Sequence, residues 1–151
     1  MLRNFTKNLL KGTNKTYFIL VIISITSIAL YGKYRCHYIN KHNDILEFGL
    51  FKNSEKWGID GWSLTHFFGY MIMGCLFPKT LLLTMIGGAL WELFETYVGK
   101  YKPKLIMGIG FCENISDKTN KYKVWWYGKW SDLVMNFLGF VIGMKLNKYL
   151  I

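Results

Sequence analysis

The chain has 151 residues, of which 52% are hydrophobic, 18% aromatic and only 19% charged, a balance too apolar for a disordered segment. Three cysteines are too few for a disulfide scaffold. The net charge of +10 would suit a nucleic-acid binder, but such domains seldom carry several near-continuous apolar runs. Basic residues do gather on membrane loops that face anionic lipid, so the composition points to a membrane protein with no nucleic-acid partner.

Four apolar segments follow one another. The first, Tyr17 to Tyr31, is preceded by Arg3, Lys7, Lys11 and Lys15 with no acid among them, and no small-x-small cleavage site follows it. It reads as a retained signal-anchor, the competing reading being a cleaved signal peptide. The second, Trp62 to Phe77, ends at Pro78-Lys79, and the third runs from Thr80 to Val98. The fourth runs from about Leu133 to Leu150, with a polar entry at Trp130-Ser131-Asp132. A spanning helix needs roughly 17–25 residues, so the first two are short and the last two adequate. The expected fold is all-α, a polytopic helical membrane protein with three or four transmembrane helices at about 17–31, 62–77, 80–98 and 133–150. Residues 1–151 read as a single membrane domain with no repeat and no Pro-rich linker.

Threading these helices back and forth sends the polar, lysine-rich loops 32–61 and 99–129 to the same side of the bilayer. Asp60 and His66 then open the second helix, Glu92 and Glu95 close the third, and Asp132 and Asn136 open the fourth. All nine acids lie between Asp44 and Asp132, and His37, His42 and His66 fall on that side too. Ionisable groups at or inside a span cost several kcal/mol unless paired or hydrated, so such a gathering marks a functional site. The basic residues do not settle orientation: the first helix favours a cytoplasmic N-terminus, the loop count the opposite, and the cytoplasmic N-terminus is taken here.

Spacing sharpens the chemistry. Glu92 and Glu95 are three residues apart and Asp132 and Asn136 four, so each pair shares one helix face. Glu92, Glu95 and Asp132 with the Asn136 amide oxygen make an all-oxygen set that a hard divalent cation such as Ca²⁺ or Mg²⁺ accepts. His66 adds a group suited to general acid/base work. The plainer alternative pairs Glu92 and Glu95 with Lys100, Lys102 or Lys129 and has His66 donate to a neighbouring carbonyl.

The glycines Gly69, Gly74, Gly87, Gly88, Gly139 and Gly143 let helix backbones approach closely. That spacing serves packing within one chain or a homo-oligomer. Trp125, Trp126, Tyr127 and Trp130 resemble an interfacial aromatic belt. Cys75 belongs to the core of the second helix, while Cys36 and Cys112 share a side and could pair in an oxidising compartment.

Three motifs in order carry a family resemblance: His66-Phe67-Phe68-Gly69-Tyr70, then Trp91-Glu92-Leu93-Phe94-Glu95, then Trp125-Trp126 with Asp132, Asn136, Gly139, Gly143 and Met144. Over about residues 60–145 the chain resembles the base-exchange phosphatidylserine synthases. The resemblance implies Ca²⁺-dependent exchange of a phospholipid head-group alcohol for serine in an endoplasmic-reticulum-type membrane. The implied partners are membrane phospholipid and a small alcohol such as serine. His66 would be the acid/base, Glu92 and Glu95 would bind the metal or activate the attack, and Asp132 and Asn136 would complete the site, with Asp132 a further metal ligand. Where the family carries acids beside the Trp pair, this chain has Lys123 and Tyr127, with Glu113 and Asp117 nearby as substitute carboxylates. A looser similarity is to VanZ-like small membrane proteins. The expectation is thus a phospholipid head-group transferase, the alternative being a non-catalytic membrane anchor or envelope component with a degenerate site.

Overall fold

The computed structural model describes residues 13–38, 46, 49–51, 58–101 and 128–150. Four helices account for nearly all of them: α1, Lys15–Tyr38; α2, Gly61–Leu76; α3, Leu81–Tyr101; and α4, Trp130–Leu150. A short antiparallel ribbon, β1 (Gly49–Phe51) with β2 (Ile59–Asp60), precedes α2 and pairs Gly49 with Asp60. The described fold is therefore all-helical apart from this ribbon, which the reading of 32–61 as a polar loop did not foresee. Residues 102–127 lie outside the described part, and with them Lys102, Cys112, Glu113, Asp117, Lys123, Trp125, Trp126 and Tyr127; His42 and the side chains of Cys36 and His37 do too.

Helix ends follow local chemistry. The Asn14 side chain accepts a hydrogen bond from Tyr17 N at 3.1 Å, which starts α1 two residues before the apolar run. The helix then passes through the polar stretch after Tyr31 as far as Tyr38, since backbone hydrogen bonding does not require apolar side chains. Asp60 is the N-cap of α2, its carboxylate accepting from Ser63 N at 3.0 Å. Pro78 cannot continue α2, and Thr80 turns the chain into α3 by donating its hydroxyl to Phe77 O at 2.9 Å. The third and fourth segments also extend, to Tyr101 and back to Trp130.

Cross-helix contacts fix the directions. Ser63, His66 and Cys75 of α2 meet Asp132, Asn136 and Asn147 of α4 in the same order, so α2 and α4 run parallel. Between them the backbones nearly touch: a Cβ at Gly139 would collide with the Phe67 carbonyl, one at Gly143 with Met71 O and Cys75 N, and one at Gly74 with the Phe140 backbone. The small-residue stripe thus packs helices of one chain. Helix α3 runs the other way, with Thr84 at the Pro78 end and Glu92 at the Trp62 end. Helix α1 lies antiparallel to α2: Tyr17 packs edge-on against Phe77 at 5.3 Å, and Tyr31 against Trp62 at 5.2 Å.

At the Pro78 end, Tyr17 Oη and Thr84 Oγ1 share a hydrogen bond of 3.1 Å, and Thr84 meets Thr80 at 3.1 Å. Replacing Tyr17 by Phe keeps the ring packing and removes one buried hydrogen bond. It is expected to lower stability by about 1 kcal/mol, read from denaturant titration in bicelles.

Among the described residues, two helices are long and apolar enough to cross a membrane, α1 over Lys15–Tyr34 and α3 over Leu81–Tyr101.

Candidate functional site

The site lies at the Trp62 end, where α2 and α4 begin and α3 finishes. On α2, Ser63, His66 and Tyr70 share one face; on α4, Asp132 and Asn136 continue the stripe that becomes Gly139 and Gly143 one turn later. The glycines therefore bring the two helices to backbone contact just below the polar residues. This proximity lets short side chains reach across. Asp132, 3% exposed, accepts from the Ser63 hydroxyl, and His66 Nδ1 lies 2.9 Å from Asn136 Oδ1.

Helix α3 closes the third side. Glu92 Oε1 sits 3.9 Å from His66 Nδ1, and its other oxygen accepts from the backbone N of Lys129 at 2.9 Å. One ligand atom each from His66, Glu92 and Asp132 lies within 4.8 Å of the other two. Gly88, one turn before Glu92, leaves the space that the Tyr70 hydroxyl and the Asn136 amide approach. The Tyr70 ring stacks on His66 with centroids 6.4 Å apart.

Of the five residues singled out from the sequence, His66, Glu92, Asp132 and Asn136 come together. Glu95 does not join the three-residue group; its Oε1 accepts from Trp91 Nε1 at 2.7 Å, one turn away on the same helix. The lysine pairing given as the alternative for Glu92 takes a different form. The Lys129 backbone reaches Glu92, while its ammonium pairs with Asp60 at the head of α2. Lys100 instead lies over the Tyr101 ring at 5.1 Å. His66 faces a side-chain amide rather than a backbone carbonyl.

Sequence reasoning passed over Ser63 and named Lys129 only as an alternative partner for Glu92 or Glu95, not for Asp60. Ser63 had a legible signal, since it stands three residues after a capping Asp and one turn before His66 on the same face. Lys129 had none, because its partner lies 69 residues away.

Among the described residues, two buried side-chain polar atoms have no hydrogen-bond partner: Glu92 Oε1, in a residue 6% exposed, and Asn136 Nδ2, in a residue 1% exposed. Orphaned groups this deep are rare in folded proteins, where buried polar atoms are met by the chain, by water or by an ion.

No family model, curated protein or solved structure matches the chain.

Proposed function

We propose that the chain is an integral membrane protein of four spans whose polar cluster at one leaflet acts on a phospholipid head group, exchanging one head-group alcohol for another. The observation that carries this reading is the convergence of His66, Glu92 and Asp132 at one end of a bundle with an apolar exterior. Ile22 is 62% exposed, Leu90 60% and Leu93 66%, while the buried set includes Asp60, Ser63, Glu92, Asp132 and Asn136. A bundle in water would invert that arrangement; in lipid, outward Leu and Ile cost nothing and inward polar groups find one another. Helix α2, at 16 residues, is short for a full span, which suits a polar start at the phosphate level, where a head group lies.

Calcium, which the family resemblance implies, takes about six to eight oxygen ligands. The converging groups here include an imidazole nitrogen, and Glu95 stands apart. That set does not fit calcium, and the proton transfers fall to acceptors that the chain itself supplies. An acceptor hydroxyl attacks the phosphodiester phosphorus, its proton passes to the acceptors of the cluster, and the departing head-group oxygen takes a proton back. The Ser63 hydroxyl and the Lys129 backbone N–H hold the two carboxylates in place while this happens.

The test is head-group exchange by the purified chain in phospholipid vesicles supplied with labelled serine, ethanolamine or choline. The wild-type chain is expected to incorporate label, and His66→Ala and Glu92→Gln to lose on the order of 100-fold or more. Equal exchange in all three overturns the reading.

A second reading draws on the Lys129–Asp60 and Ser63–Asp132 contacts, which tie helix ends together as a structural clasp would. It makes the protein a non-catalytic membrane component, in which Glu92→Gln changes stability and nothing else.

A further inference from the structure

We infer that His66, Glu92, Asp132 and Asn136 form a binding site for one divalent transition-metal ion, of the Mn²⁺, Co²⁺ or Zn²⁺ kind, at the Trp62 end of the bundle. The inference stands apart from the head-group chemistry and survives if that reading fails.

Three independent features support it. The first is donor convergence. His66 Nδ1 lies 2.9 Å from Asn136 Oδ1 and 3.9 Å from Glu92 Oε1, and one ligand atom each of His66, Glu92 and Asp132 lies within 4.8 Å of the other two. Two ligands at right angles on bonds of about 2.1 Å stand about 3.0 Å apart, so the His66–Asn136 spacing is that of neighbours in one coordination sphere. Without an ion, the same contact is an Nδ1–H donating to the amide oxygen.

The second is the orphaned Glu92 Oε1. It is buried, faces His66, and accepts no hydrogen bond among the described residues. A carboxylate oxygen in that setting calls for a cation or a donor.

The third is charge. Asp60, Glu92 and Asp132 are buried carboxylates, and Lys129 is the buried ammonium beside them, already paired to Asp60. Among the described residues, the Glu92 carboxylate accepts from the Lys129 backbone N–H and the Asp132 carboxylate from the Ser63 hydroxyl. A divalent cation between the two carboxylates favours their charged forms, which burial alone penalises.

The imidazole decides the class of ion. Calcium and magnesium take oxygen, whereas imidazole with carboxylate suits first-row transition ions and zinc. The orientation of His66 then follows: Nδ1 binds the ion and Nε2 keeps its proton.

The experiment uses the full chain in nanodiscs, stripped with chelator, with His37→Gln and His42→Gln so that His66 is the only imidazole. Co²⁺ is titrated by its visible absorption and Mn²⁺ by electron paramagnetic resonance, with Ca²⁺ and Mg²⁺ as competitors. Expected are one ion per chain, a ¹⁴N coupling on bound Mn²⁺, a higher melting temperature on loading, and displacement by Zn²⁺ but not by equal Ca²⁺. His66→Ala, Glu92→Gln and Asp132→Asn should each weaken binding by on the order of 100-fold, with helix content checked by circular dichroism. Lys79→Gln, at the opposite end, should bind as the parent does. Absence of ion binding, absence of nitrogen coupling, or calcium binding at least as tight as manganese overturns the inference. The nitrogen coupling in the parent decides the matter even if a ligand variant fails to fold.

Discussion

Replacing Lys129 by Met is expected to destabilise the protein by about 3–5 kcal/mol, among the largest effects of any single substitution outside the helix seam. Lys129 is only 6% exposed, and its ammonium pairs with Asp60, which is also buried. Methionine fills much the same volume, so packing changes little and the effect is electrostatic. What remains, among the described residues, is an Asp60 carboxylate with Ser63 N and Oγ as donors and no paired cation. Removing one member of a buried pair costs far more than the pair contributes, because the survivor stays desolvated. The double replacement Lys129→Met with Asp60→Asn is therefore expected to recover most of the loss, since an asparagine still caps α2. Denaturant unfolding in bicelles for the two single variants and the double variant gives the coupling. If Lys129→Met costs under about 1 kcal/mol, the pair is solvent-screened and the buried end of the bundle is wet.

The helices were legible because their signal is local: apolar runs bounded by Pro78, by Asp60 and by the polar entry at Trp130. The site was legible in part for the same reason. Residues spaced three or four apart share a helix face whatever the bundle does, and back-and-forth threading sends alternate helix ends to one side. The ribbon was hidden because β1 and β2 have three and two residues, with no alternation to read. The far end of α1 was hidden because Lys33 and Arg35 interrupt hydropathy without interrupting the helix. Glu95 shows the limit of facial spacing. It shares a face with Glu92, yet Trp91 on its own helix captures its carboxylate, a choice that rotamers make and spacing does not. Sequence fixes which residues can reach the centre, and packing between α2 and α4 decides which do.

The same substitution at two glycines is expected to act with opposite sign. Gly139→Ala should destabilise the chain by about 1–3 kcal/mol, and Gly87→Ala should stabilise it by about 0.5–1 kcal/mol. Alanine is the better helix former, so each change favours its isolated helix by a similar amount. At Gly87, a Cβ meets nothing within 4 Å, and that preference is all that registers. At Gly139, the added carbon falls on the Phe67 carbonyl and lies 3.2 Å from Met71 N, both backbone atoms that cannot turn aside as a flexible side chain would. Relief requires α2 and α4 to separate along their whole seam, which also loosens the close packing of Gly143 on Met71 and draws Asn136 from His66. The damage therefore extends to the site one turn above. Co²⁺ affinity should fall in Gly139→Ala and hold in Gly87→Ala, although neither glycine contributes a ligand. Unfolding in bicelles and cobalt titration on the two variants check both statements. Stabilisation by Gly139→Ala would mean that the helices stand further apart than backbone contact allows, and that no side chains as short as Ser63, Asp132 and Asn136 could bridge them.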